Sequence, residues 1–252
     1  MYPVSASSAQ VGGPDGHSYG GVILPERDAA LPGLLDSLAG IRFSGWIAPS
    51  QDGWTVVLGD PGAGVVADAR RGIIEVGALL AARVPGPVLA VRVREDRQLA
   101  LVAWRSAEEV ARYCSDPSRE PGADREVLSE PVGAEYAGAF AQLWDRPDAV
   151  DELAELLEEE LDPDSVYESE RLGTLLRVLG LPGWIVAAGS LPRSMPRGPS
   201  SAELTRLRAG LTGMGGRSRD ALVRRLRRRQ NPPPVIDEPP TGGAAGLEPW
   251  MF

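Results

Sequence analysis

The chain has 252 residues, 43% hydrophobic and 24% charged, with a formal net charge of −9. That length allows one domain with tails or two small domains, and the apolar share is enough for a packed core. All 26 basic residues are Arg; there is no Lys, and Asn231, His17 and Cys114 are each the single residue of their type, which excludes most side-chain catalysis.

A Ser-His-Asp or Cys-His arrangement needs an imidazole base beside its nucleophile, and His17 lies in a leader of Ser, Gly and Pro. Without Lys there is no P-loop amine, Schiff-base amine or kinase Lys. One Cys and one His do not furnish the usual zinc ligands, and a disulfide within the chain is impossible, which fits a reducing compartment. Carboxylate chemistry, a Tyr or Ser without an orthodox base, and Mg²⁺ held by Asp and Glu remain. The composition therefore favours a protein that is not an enzyme and implies no cofactor. Arg, Ala, Gly and Pro are enriched together, as in a high-GC genome, so the Arg content carries less functional weight. The N-terminal residues lack a secretory pattern. The uncharged stretch between Arg177 and Arg193 is broken by Pro182 and is shorter than the ~20 residues of a membrane span. A cytoplasmic protein without a transmembrane segment is expected.

Residues 1–20 read as a flexible leader. Gly21–Leu24 is a short strand, and Leu31, Leu34, Leu35 and Leu38 recur at helical spacing with Pro32 in the first turn. Trp46–Ala48 and Trp54–Leu58 form a hairpin through Asp52-Gly53, a pair suited to positive φ. Gly59-Asp60-Pro61-Gly62-Ala63-Gly64 is glycine-rich, but Asp60 puts a negative charge where a phosphate would sit and Pro61 removes a donor. It reads as a connecting loop rather than a phosphate cradle. Ile73–Val84 is a helix stopped by Pro85-Gly86-Pro87. Leu89, Val91 and Val93 alternate with Arg92 and Arg94, and Leu99–Trp104 follows a polar turn at 95–98, a strong hairpin pattern. Val110–Cys114 adds a further strand, with Cys114 as a small buried hydrophobe.

From Gly133 the period becomes helical: Tyr136, Phe140 and Trp144; then Leu153, Leu156, Leu157 and Leu161; then Leu172, Leu175, Leu176 and Leu179. Trp184–Ala188 is a last buried strand or helix turn. The expected fold is α+β, an antiparallel sheet of about five to six strands with helices on one face. It spans residues 21–190 and is helical from about residue 132. Residues 191–230 read as a linker and basic amphipathic helix, and 231–252 as a Pro/Gly-rich tail with an apolar terminus.

Two charge clusters stand out. Acidic residues crowd 145–170, with Arg146 the only basic residue before Arg171. A solvated helix face is the plain reading. A surface for a basic protein partner, through Asp151, Glu155, Glu158, Glu159 and Asp162, is the functional one. Asp162 and Asp164 would serve a Mg²⁺-dependent enzyme. The last third is rich in Arg, and a helix over Ser218–Gln230 places Leu222, Val223 and Leu226 on one side. Arg224, Arg225 and Arg228, with Trp250 and Phe252 of the tail, form a second partner-binding candidate, which makes a regulatory or scaffold role the other alternative. That helix could instead pair with the chain's own acidic segment or lie on an anionic membrane through residues 216–230. The net charge and the lack of interleaved aromatics argue against nucleic acid.

Gly45-Trp46-Ile47-Ala48-Pro49, Asp52-Gly53-Trp54-Thr55-Val56-Val57, Glu168-Ser169-Glu170-Arg171-Leu172 and Leu179-Gly180-Leu181-Pro182-Gly183-Trp184 resemble stretches of uncharacterised α+β proteins of high-GC bacteria, some of them immunity-like proteins of polymorphic toxin systems. The resemblance brings no catalytic motif and implies a non-catalytic binding protein.

Overall fold

A computed structural model describes residues 16–26, 31–124, 126–160, 167–193, 195–227 and 230–237. Its centre is a seven-stranded antiparallel sheet: β1 (Tyr19–Pro25), β2 (Gly45–Ile47), β3 (Trp54–Gly59), β4 (Pro87–Arg94), β5 (Gln98–Arg105), β6 (Glu108–Cys114) and β7 (Thr205–Leu207), in the order β6-β5-β4-β1-β3-β2-β7. The hairpins follow their turn residues. Asp52 and Gly53 take positive φ between β2 and β3, as do Glu95 and Asp96 between β4 and β5, and Ser106 and Ala107 between β5 and β6, the left-handed backbone that tight hairpin turns use.

The α+β antiparallel class is as expected, but the sheet has seven strands and helices cover both faces, not one. β1 shows why. Val22 pairs with Val57 and Ala90, Ile23 with Val56 and Leu89, and all six are buried. Val22, Leu24, Val57 and Ala90 point to one core with α1 (Leu31–Gly40) and α2 (Ile73–Ala81). Ile23, Val56, Leu89 and Val91 point to another with α3 (Ala137–Leu143), α4 (Val150–Glu158) and α5 (Glu168–Val178). Strands apolar on successive residues must be buried on both sides.

The seventh strand comes from the segment read as a linker. Trp46 pairs with Arg206 and Gly45 with Leu207, and Leu191, Met195, Leu204 and Leu207 are buried. Residues 230–237 also lie against the domain, with Val235 buried and its N–H donating to Glu120. Tyr136 is exposed rather than in the Phe140–Trp144 stripe, because it ends a 3-10 turn and α3 starts one residue later. Trp184 lies in a 3-10 helix, Gly183–Ser190. Asp96, in the β4–β5 turn, accepts from the Ser169 N–H at 2.8 Å and so caps the first turn of α5. No helix among the described residues is long and apolar enough to cross a membrane.

Candidate functional site

The acidic cluster is displayed on α4. Leu153 and Leu157 bury its inner face, while Asp151, Glu152, Glu155 and Glu158 are exposed, as are Glu159 and Glu160 just beyond it. Asp151, Glu155 and Glu158 fall at i, i+4 and i+7, one stripe along the helix. Asp151 and Glu152 suit the positive end of the helix dipole, but Glu155 and Glu158 repel their like-charged neighbours and Glu158–Glu160 sit at its negative end. The arrangement therefore costs local stability. It is held rigidly from below. The buried Arg171 donates to the Glu159 backbone carbonyl and to the Tyr113 hydroxyl and lies 3.6 Å from the buried Glu168. An ion pair from the α4 carboxylates to α5, Glu152–Arg177 at 3.5 Å, joins two exposed groups and contributes little. Arg177 also borders a surface groove of about 1170 Å³ that includes Trp54, Thr174 and Trp184.

Asp162 and Asp164, the Mg²⁺ candidates, lie outside the described residues. Among those described, no cluster of three or more His, Cys, Asp or Glu could hold a metal ion. Cys114 is buried, and burial pushes its thiol well above the ordinary value. It sits beside an equally buried group in which Arg92 donates to Glu120, and Gln98 Nε2 donates to Glu120 at 3.2 Å.

The basic helix is α6 (Gly213–Arg227), beginning five residues before its expected start. Arg224 and Arg225 belong to it; their side chains, together with Arg228, Trp250 and Phe252, lie outside the described residues. On the described part, Arg217 and Arg219 are exposed, Gly216 and Asp220 are buried and Val223 is half-buried. Residues at i, i+4 and i+7 thus form its inner face. α6 packs beside β7, while α4 packs with α3 and α5; these contacts do not support the alternative that the two charged helices pair with each other.

A second feature was not anticipated from the sequence. At the β2–β7 edge a cavity of about 520 Å³ is walled by the glycine-rich loop, by Leu191 and Pro192, and by Trp46, Arg206 and Arg208. Three of the loop's N–H groups are spent internally, Asp60 donating to the Ser44 carbonyl, Gly62 to Ser18 and Ala63 to Asp60, and the Val65 N–H just beyond it donates to Ala63. These commitments leave the loop few donors to offer a phosphate. Arg206 stacks on Trp46, 3.7 Å from the ring centroid. Its Nη1 lies 2.5 Å from Asp60 Oδ1, in ion-pair contact but not aligned as a hydrogen bond. Arg208 Nε is buried without a hydrogen-bond partner among the described residues. The signal for these residues was the alternation Thr205-Arg206-Leu207-Arg208, a strand pattern too short to stand out from an Arg-rich segment. Comparison with protein-family models, curated proteins and solved structures gave no match.

Proposed function

We propose that the protein is a non-catalytic protein-interaction module, immunity-like in its logic, that docks a basic partner through the α4 face. The observation carrying this reading is the exposed stripe Asp151, Glu155 and Glu158, continued by Glu159, on a helix anchored by buried Arg171. A dense negative surface accelerates encounter with a positive one and selects against acidic partners. The adjoining groove beside Trp54 and Trp184 supplies the apolar contact that electrostatics alone lacks, since aromatic anchors dominate interface energy.

The test is a pull-down from source-cell lysate with the unaltered chain and with a variant carrying Asp151→Arg, Glu155→Arg and Glu158→Arg. A basic protein retained by the first should be lost from the second. It should also elute as salt rises from about 0.1 to 1 M, where the screening length shrinks from about 10 to 3 Å. Equal retention by both proteins sinks the reading.

A further inference from the structure

We infer that the cavity at the β2–β7 edge binds a small organic anion, an oxyanion head such as phosphate or carboxylate on a compact apolar body. The inference does not depend on the α4 surface.

Three observations support it. Its volume, about 520 Å³, falls within the range of roughly 300–1,000 Å³ of small-molecule sites. Its two cations differ in circumstance. Arg206 is stacked on Trp46 and balanced by Asp60, so its charge is largely spent inside the protein. Arg208 has a buried Nε with no acceptor among the described residues. Arg208 also lines the cavity, and a carboxylate or phosphate bound there supplies its guanidinium with the counter-charge that Asp60 gives to Arg206. An anion on Arg208 also leaves the site near neutral once Asp60 is counted against Arg206.

The backbone that carries Arg208 is fixed before any ligand arrives. It opens the tight turn to Leu211, accepting from the Leu211 N–H at 3.1 Å and donating its own N–H to the Leu211 carbonyl at 2.9 Å. The next two residues pin that turn to the α1–β2 connection: the Ala209 N–H donates to Ser44 Oγ at 3.0 Å and the Gly210 N–H to the Phe43 carbonyl at 2.7 Å. Ordering entropy is thus spent in folding rather than in binding. Val65, Leu191 and Pro192 also line the cavity and offer apolar surface that suits a ligand body without charge. The glycine-rich loop contributes mainly shape, because the N–H groups of Asp60, Gly62 and Ala63 are already committed to protein carbonyls.

The experiment titrates the full chain with phenyl phosphate, benzoate, inorganic phosphate and benzylamine, reading binding by calorimetry and by thermal shift. Phenyl phosphate or benzoate should bind saturably and raise the melting temperature, inorganic phosphate alone should bind more weakly, and benzylamine should not bind. Which aromatic anion binds tighter separates a phosphate head from a carboxylate head. Arg208→Gln should weaken binding by about ten- to hundredfold, the range of a charge-assisted hydrogen bond, while Arg208→Lys keeps the charge but not the fork and should fall between. If Arg208→Gln does not fold, the Lys variant carries the comparison. The variant altered at Asp151, Glu155 and Glu158 should bind like the unaltered chain, so failure of the α4 reading leaves this result intact. The inference is overturned if neither aromatic anion binds, if benzylamine binds as well as they do, or if the Arg208 variants bind like the unaltered protein.

Discussion

Arg92 and Glu120 form an ion pair whose side chains are 7% and 0% exposed, beside the segment that carries Val235. Glu120 also accepts from Gln98 and from the Val235 backbone, so one carboxylate joins β4, β5 and the C-terminal segment. Removing one partner strands a buried charge: Glu120→Ala should cost about 3–5 kcal/mol in urea denaturation. Replacing both, as in Arg92→Met with Glu120→Leu, should recover part of that loss, because only the neutral donors then lack an acceptor. Unchanged stability in Glu120→Ala alone would show the pair to be dispensable. Glu168 behaves differently. Burial raises its carboxyl above the ordinary 4.5, with Arg171 offsetting part of the effect. Between that value and the raised one the native state holds more protons than the unfolded chain, so stability falls as pH rises through the window. Glu168→Gln removes the titration. The melting temperature of that variant minus that of the unaltered chain should therefore grow as pH rises from about 4 to 8; a difference constant with pH would contradict it.

At the level of elements, β7 and the turn after it show what sequence periodicity catches and misses. The hairpins β2–β3 and β4–β5 were legible because long apolar runs flank residues suited to positive φ. β7 has three residues and exists because β2 offers an open edge and Leu207 a buried side chain. Gly210 fixes the turn: its φ is +82°, and an added Cβ would lie 2.7 Å from the Ala39 carbonyl oxygen. Gly210→Ala should cost about 1–3 kcal/mol, since it adds a backbone clash to the strain of positive φ. Gly53 has the same φ in open space, so Gly53→Ala should cost about 1 kcal/mol. Equal losses in denaturant titrations would mean that the contact with Ala39 is unimportant. The helices were legible in the same way as the long strands. Leu172, Leu175, Leu176 and Leu179 are all buried as their spacing requires, whereas Tyr136 left its stripe because it lies in a 3-10 turn, whose tighter period of about 3.0 residues breaks the α-helical spacing.

Across the whole molecule the sheet is a partition between two cores. Its central strands are apolar on consecutive residues, Val88-Leu89-Ala90-Val91 and Leu99-Ala100-Leu101-Val102 among them, which is itself a sign of burial on both faces. The alternating Arg92 and Arg94 suggested one wet face instead. Arg92 points into the core and is neutralised by Glu120, a residue 28 positions away that no local pattern connects to it. Charge is also divided, with carboxylates on α4 and Arg in the last third, and the fold sets α4 with α3 and α5 and α6 beside β7. By itself the sequence determined the α+β class, the principal hairpins, the buried stripe of Leu172, Leu175, Leu176 and Leu179 and the acidic outer face of α4, because each depends on neighbours within a few turns of chain. Only the tertiary structure decided that both faces are covered, that β7 closes the sheet edge, and that Arg208 meets a cavity wall made by residues near positions 60 and 190. Those outcomes depend on pairings between distant segments, and the free energy of a pairing is set by what each segment finds opposite it.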